Sequence, residues 1–153
     1  MSHFVTAIIA RAYIVDRILD RHPILSAVDL RDDLRLIPLD DDDLDLFALD
    51  YSTTTKGFNY LSPDLESFLS EQSLGGQLAY IETAYFGGMG TQAAISFGNG
   101  MPLPPTPLSG DDAINRALRS IGVTSPEPSV DEFVFVGLSK HRCTSDWKEV
   151  ARP

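Results

Sequence analysis

The sequence predicts an α+β fold, in which residues 1–153 form a single domain with a mainly antiparallel sheet and helices packed on one face. Strand-like and helix-like segments are mixed irregularly, without the strict alternation that builds a parallel sheet. Two adjacent strand-like segments are joined by glycines, which is typical of a β-hairpin. With 153 residues, of which 43% are hydrophobic, the chain can bury one core of ordinary size.

The first third of the chain contains a strand, a helix and a second strand. The segment HFVTAIIA, residues 3–10, is rich in branched side chains and predicts the first strand. AYIVDRILDRHP, residues 12–23, predicts a helix with Pro23 beyond its end and places four apolar residues at helical spacing: Ile14, Val15, Ile18 and Leu19. LRLIPLD, residues 34–40, predicts a short strand, and Pro38 places an edge or the end of that strand there.

The acidic segment LIPLDDDDLDLFALD, residues 36–50, contains six aspartates and no basic residue. Leu44 and Phe47, with Leu46, could form the inner side of a short helix. The positive end of the helix dipole favours acids in the first turn, by about 0.3–1 kcal/mol each. This local effect explains one or two of the aspartates. It does not explain four in succession, which repel one another, so we expect an outward-facing acidic surface.

Later segments predict two further helices and a hairpin. Ser62 is a good N-cap, Pro63 suits the first helical position, and the inner stripe is Leu65, Phe68 and Leu69. Residues 75–100 predict a hairpin around its glycines, and residues 101–110, with four prolines, predict a rigid connector that joins neither neighbouring element. The next helix ends at Gly122 and turns four residues inward: Ile114, Ala117, Leu118 and Ile121.

The last segment contains conflicting signals. Ser129 and Glu132 fit a helix capping box, whereas Val134, Phe135 and Val136 favour a strand. A short helix ended by Gly137 is the preferred interpretation. The tail that follows is basic, and we expect Trp147 to anchor it on the body of the domain.

The charge distribution constrains the partner. The chain has 22 acidic and 12 basic residues, for a net charge of −10. Residues 36–115 contain twelve of the acids and a single base, Lys56. This charge disfavours nonspecific nucleic-acid binding and anionic membranes, and it favours encounter with a cationic partner. Solubility is the alternative explanation.

The sequence fits the reducing cytoplasm. The N-terminal segment lacks the basic lead-in and cleavage site of a signal peptide. No apolar run approaches the roughly 20 residues of a membrane helix. The one cysteine, Cys143, cannot form an internal disulfide.

No motif identifies a reaction. YFGGMGTQ, residues 85–92, could present N–H groups to a phosphate, but no helix and no lysine follow as nucleotide fingerprints require. A hairpin turn, or a contact loop with Tyr85, Phe86 and Met89, is the alternative. His141 and Cys143 are only weakly suited to a nucleophile pair. Glu82 could be a general base, but a solvent-facing strand position is the preferred interpretation. The aspartates at 40–43 lack the glycine and distal glutamate of a calcium-binding loop. No catalytic residue, cofactor or metal ligand is assigned.

Three segments carry a resemblance: YFGGMGTQAA, INRALRSIGV and DEFVFVGLSKHRCTSDW. They resemble segments of short, uncharacterised bacterial proteins that share a glycine-rich hairpin, a following helix and a tail with histidine and Asp-Trp. In size and acidity the chain is also similar to bacterial immunity proteins, which block a cognate toxin. The second resemblance implies a basic protein partner, a cognate toxin, as ligand.

These observations predict a cytoplasmic immunity-type inhibitor that occludes a basic domain. Lys140 and Arg142 could instead pair with the acidic surface within the chain. The residues expected to contact the partner are Asp40, Asp41, Asp42, Asp43, Asp45, Asp50, Phe58, Tyr60, Tyr85, Phe86 and Met89. One rival is a small enzyme or ligand-binding domain that uses the hairpin 85–92 and Glu82. Another is a structural subunit, which would self-associate through an apolar patch.

Overall fold

The computed structural model describes residues 2–47 and 53–151, with Phe47 described by its backbone only. These residues form eight strands: β1 Ser2–His3, β2 Thr6–Arg11, β3 Val28–Asp29, β4 Leu34–Pro38, β5 Gln77–Phe86, β6 Met89–Gly98, β7 Met101–Pro102 and β8 Leu108–Ser109. They also form six α-helices: α1 Ala12–Arg21, α2 Asp41–Phe47, α3 Pro63–Gln72, α4 Ala113–Ser120, α5 Glu132–Val136 and α6 Thr144–Ala151. A short 3-10 helix, Leu138–Lys140, follows α5. The predicted α+β class is confirmed.

One antiparallel sheet organises the domain. Its strands lie in the order β3-β4-β2-β5-β6-β7, with β1 beside β5 and β8 beside β6. Every pair of these strands is antiparallel. Among the residues described, the one parallel pairing is an isolated bridge between Phe4 and Cys143. Within the described residues, no helix has both the length and the apolar character needed to span a membrane.

Helices cover both faces of the sheet, so the prediction that they pack on one face is wrong in this respect. Successive residues of a strand point to opposite sides. Ile8 and Tyr80 pack in a core with α1, α2 and α3, and Ile9 and Ile81 pack in a second core with α4, α5 and α6. The physical reason is the central strands: five of the six residues of β2 are buried, and a strand buried on both faces needs a cover on each.

The hairpin forms as predicted. β5 pairs with β6 from Gln77↔Gly98 to Phe86↔Met89, which leaves Gly87 and Gly88 as a two-residue turn. Both have positive φ, of 61° and 81°, as a type I′ turn requires.

The proline-rich segment 101–110 does join the sheet, contrary to the prediction. Its start, β7, pairs with residues 97–98 of β6, and its end, β8, pairs with residues 93–94. Proline has no backbone N–H to donate. It is tolerated there because these short strands lie at the sheet edge, where no donor is needed on the outer side.

The C-terminal half largely follows the prediction. The helix at 132–136 forms and Gly137 ends it in the left-handed conformation, with φ of 104°. Its N-cap is Asp131 rather than Ser129, since the Asp131 side chain accepts the Val134 N–H. Trp147 is 1% exposed and anchors α6 in the second core.

Candidate functional site

The acidic segment is divided between a cap and an exposed surface. The Asp43 N–H donates to Asp40 Oδ1 at 2.9 Å, and the Asp40 N–H donates to Asp43 Oδ2 at 3.2 Å. The Asp40 carbonyl accepts the Leu44 N–H, so Asp40 is the N-cap of α2 and Asp43 closes a reciprocal capping box. Local helix chemistry was expected to explain one or two of the aspartates through the helix dipole, and it accounts for two of them here through a capping box.

Lys148 of α6 neutralises this cap. Its Nζ lies 2.6 Å from Asp43 Oδ2 and 3.4 Å from Asp40 Oδ2. Asp43 is buried, so the prediction that it faces outward to a partner is wrong. Among the described residues, the cation that pairs with the acidic segment is Lys148 and not Lys140 or Arg142.

Burial and pairing act in opposite directions on these groups. Burial raises the pKa of the Asp43 carboxyl despite its bond to Lys148. Burial also disfavours a charge on Asp40, but the Asp43 N–H and the Lys148 charge outweigh it and lower the pKa of Asp40. Burial opposes the Lys148 charge, yet its bond to Asp43 and the two carboxylate charges raise the pKa of the ammonium.

Three aspartates of α2 are exposed: Asp41, Asp42 and Asp45. Leu44 points inward and is buried as predicted, whereas Leu46 is 52% exposed and does not belong to the inner side. Asp41 and Asp42 form no ion pair with any residue of 2–47 or 53–151. Asp50 and the side chain of Phe47 lie outside the described residues.

Two of these exposed acids, Asp41 and Asp45, line a groove, which we call the acidic groove. Asp41, Leu44, Asp45, Asn59 and Tyr60 line a concavity of about 420 Å³. Tyr60 is 40% exposed, so its ring is available at the groove surface. A neighbouring concavity of about 290 Å³ shares four of these residues and extends towards the start of β2 and the end of β5. The sequence therefore identified two elements that the fold brings together, α2 and the segment before α3.

Glu82 holds the second of these elements in place. Its Oε1 accepts the Asn59 N–H at 2.6 Å, and its Oε2 accepts the Tyr60 and Leu61 N–H groups at 3.1 and 3.0 Å. The Tyr80 hydroxyl donates to Oε2 at 2.7 Å. Burial raises the pKa of Glu82, and the four hydrogen bonds oppose that rise.

Glu82 is 3% exposed, so the predicted solvent-facing position is wrong. The reason is that a loop from another part of the chain, residues 59–61, covers Glu82. The carboxylate accepts the backbone N–H groups of this loop, as a neighbouring strand would. With four donors already bound, the carboxylate is a positioning group, and the geometry does not favour its proposed role as a general base.

The large apolar side chains predicted to contact a partner are also divided between the core and the surface. Phe58 is 5% exposed and stacks on Tyr80 with ring centroids 6.1 Å apart, so it belongs to the core and not to a contact surface. Phe86 and Met89 are 76% and 80% exposed beside the hairpin turn, but neither lines the acidic groove. Tyr85 is half-buried and points to the other face of β5, because it is three residues from Glu82.

His141 and Cys143 do not form a catalytic pair. The His141 ring packs edge-on against Trp147, with centroids 4.6 Å apart. The Cys143 Sγ lies 3.1 Å from Ser145 Oγ. Each side chain has a local partner, and the spacing in the sequence does not bring the two together.

His3, which the sequence does not single out, is a partly buried titratable group. Its Nδ1 lies 2.7 Å from Thr83 Oγ1, and burial lowers its pKa, an effect that Arg142 reinforces and the Leu138 carbonyl opposes. As pH falls through the ordinary pKa of about 6.5, the unfolded chain therefore binds the proton before the folded chain does.

We therefore expect the contribution of His3 to stability to be complete above pH 6.5 and to be lost as pH falls towards its lowered folded pKa. Urea unfolding at pH 7.5 and 5.5 should show a larger loss of stability for the wild type than for His3→Gln, because glutamine does not titrate. An equal or larger loss in His3→Gln would contradict this assignment.

Comparison with other proteins gives no relative on which to base a function: no family model, curated protein or solved structure matches the chain. Among the described residues, no three His, Cys, Asp or Glu side chains are grouped so that they could hold a metal ion. The site is therefore interpreted from its own geometry.

Proposed function

We propose that the protein is a cytoplasmic immunity-type inhibitor, which binds a basic toxin or effector domain at the acidic groove and occludes it. The observation that carries this proposal is the position of Asp41 and Asp45 on the lining of a groove that also exposes Tyr60. Solubility requires exposed acids somewhere on the surface. It does not require them around a concave surface with an aromatic side chain.

The two residue types have different roles in this proposal. The carboxylates attract lysine and arginine side chains over a distance and mainly set the rate and specificity of association. Tyr60 supplies a rigid, amphipathic ring of the kind that dominates contact energy in protein interfaces. The carboxylates would pair with basic residues that a nuclease or nucleotide-modifying toxin uses for its own anionic substrate, so inhibition requires no chemistry.

The fixed geometry of the groove supports a preformed binding surface. Lys148 holds the first turn of α2 against α6, and Glu82 holds residues 59–61 against β5. Both walls are therefore tied to the domain before a partner arrives, and a preorganised surface loses less entropy on binding.

The proposal is tested by affinity capture from an extract of cells that make the protein naturally, at low ionic strength, followed by stepwise salt elution and mass spectrometry. We expect one basic protein to be retained at low salt and released at high salt. If no partner is retained while the bait remains folded and monomeric, the inhibitor proposal is wrong.

With that partner in hand, the triple variant Asp41→Asn, Asp42→Asn, Asp45→Asn should associate about tenfold more slowly than the wild type at low salt, because two carboxylates of the groove lining and the exposed carboxylate of Asp42 beside them on α2 no longer attract it. Stopped-flow or surface-based kinetics across a salt series would measure this. The difference should shrink as salt rises.

A matched control removes the same charge elsewhere. Asp20, Asp111 and Glu127 are exposed and none lines the acidic groove, so Asp20→Asn, Asp111→Asn, Glu127→Gln also changes the net charge by three. We expect this control to retain most of the wild-type rate. Equal slowing in both triple variants would show that only total charge matters.

A further inference from the structure

A second cavity lies on the opposite face of β5 from the acidic groove. Its volume is about 300 Å³, and its lining comes from both ends of the chain and from the hairpin: His3, Thr83, Tyr85, Gln92, Asp111, Asn115, Asp131 and Phe133. Thr83 and Tyr85 point to the face covered by α4 and α5, whereas Glu82 points to the other. The cavity therefore does not include Glu82, which the ligand-binding alternative had combined with the hairpin.

Two carboxylates give this cavity a negative charge. Asp111 and Asp131 are exposed, and neither forms an ion pair within the described part of the chain. Arg119 of α4 pairs instead with Asp112 and Glu132, at 3.7 and 2.9 Å. The Arg119 charge also acts on Asp131 over a longer distance, but within the described residues neither lining aspartate is held in a direct ion pair.

Asp131 is fixed in direction by its capping role. Its Oδ1 accepts the Val134 N–H at 2.9 Å, and its Oδ2 lies 3.4 Å from Asn115 Nδ2. Asn115 is itself oriented, because its Oδ1 accepts the Phe133 N–H at 2.8 Å. One carboxylate of the cavity is thus held by a rigid network.

The aromatic lining adds a second preference. Gln92 Oε1 accepts the Ile114 N–H at 2.8 Å, and this orients Gln92 Nε2 to donate to the Tyr85 hydroxyl at 3.2 Å. The hydroxyl keeps a lone pair that can accept from a ligand. The Phe133 ring packs against the His3 ring with centroids 5.6 Å apart. Aromatic faces beside carboxylates suit a cation with an apolar body better than a hydrated inorganic ion.

We propose that this cavity binds a small organic cation, in which an ammonium or amidinium group is carried on a flat apolar body. The cationic group contacts Asp111, Asp131 and the Tyr85 hydroxyl, and the apolar body lies against the rings of Tyr85 and Phe133. This activity is separate from the proposed inhibition, because the cavity shares no lining residue with the acidic groove.

Benzamidine is a suitable probe, with benzamide as its neutral counterpart of nearly the same shape. In a nitrogen-15 NMR titration of the full chain, benzamidine should shift the amide signals of residues 83–85, 92, 111–115 and 131–133. Calorimetry should show binding at least tenfold tighter for benzamidine than for benzamide, since only the former carries the charge.

The double variant Asp111→Asn, Asp131→Asn should weaken benzamidine binding about tenfold, while asparagine at 131 keeps the helix cap. The control Asp20→Asn, Glu127→Gln removes two exposed carboxylates outside the cavity and should leave the affinity within about twofold. Melting temperatures would verify that both variants fold.

Three results would overturn the proposal: no benzamidine binding up to about 10 mM, equal binding of benzamide, or shifts that map elsewhere. The comparison of the two probes uses only the wild-type chain, so it decides the matter even if the double variant fails to fold. If the wild-type chain captures no partner but still binds benzamidine, only the inhibitor proposal is overturned.

Discussion

Glu82→Ala is expected to lower the free energy of unfolding by about 3–5 kcal/mol, because it removes the acceptor of four hydrogen bonds from a buried position. Three of the donors are consecutive backbone N–H groups of residues 59–61, and the fourth is the Tyr80 hydroxyl. Buried donors without an acceptor each carry a desolvation cost, so the effect exceeds that of a single lost hydrogen bond.

Urea unfolding at neutral pH measures this effect, and two further variants serve as comparisons. Glu82→Gln keeps the size and one acceptor oxygen, and we expect it to cost about 1–3 kcal/mol. Glu127→Ala, at an exposed loop glutamate, should change stability by less than about 0.5 kcal/mol. A loss below about 1 kcal/mol in Glu82→Ala would contradict the role of this carboxylate as the anchor of residues 59–61.

Lys148→Ala is expected to cost about 2–3 kcal/mol, because it leaves the Asp43 carboxylate buried without its cation. The Asp43 side chain is 4% exposed, and that of Lys148 is 19% exposed. The partial exposure of the lysine places the value below that of a fully buried pair. Water can reach the lysine end of the interaction and reduce the loss.

A double-mutant cycle measures the interaction energy between Asp43 and Lys148 separately from their other contacts. Asp43→Asn keeps an oxygen that can accept the Asp40 N–H, and Lys148→Met keeps most of the apolar volume of the lysine. We expect the double variant Asp43→Asn, Lys148→Met to be more stable than Lys148→Met alone, because no uncompensated charge remains. Strictly additive effects of the two substitutions on the free energy of unfolding would contradict a direct interaction.

Local patterns predicted the elements of this fold well. Ser62 and Pro63 begin α3, and the Ser62 hydroxyl accepts the Leu65 N–H, as expected of an N-cap. Gly87 and Gly88 form the hairpin turn, and Gly137 ends α5. Each of these signals acts within a few residues, so the physical cause is contained in the sequence window that was read.

Long-range contacts could not be predicted from the same windows. Glu82 and Asn59 are 23 residues apart, and Lys148 and Asp43 are 105 apart. The sequence places Glu82 in a strand without an identifiable acid partner, which favours a solvent-facing position, and only the tertiary path of residues 59–61 reveals that a loop covers it. The spacing of Asp40 and Asp43 is a local signal for a capping box. The position of Lys148, which neutralises these two aspartates, is not contained in any local pattern.

The candidate site was predicted in part. The acidic helix and Tyr60 were both expected to contact a partner, and the fold places them on one groove. Asp43 and Phe58 were assigned to the same surface and are buried, since side-chain type indicates contact potential but not which side of an element faces the core. The ligand-binding alternative placed a site at the hairpin 85–92, and Tyr85 and Gln92 do line a cavity. The remaining lining residues come from three other segments, which no local pattern connects to the hairpin.

The most direct test of the central claim compares three baits in parallel: the wild type, the Asp41, Asp42, Asp45 triple variant and the Asp20, Asp111, Glu127 control. Each is used to capture proteins from the native extract at low salt. The account predicts a basic protein that is retained by the wild type and the control and lost from the groove variant. Retention of the same proteins by all three baits would contradict the acidic groove as the binding surface.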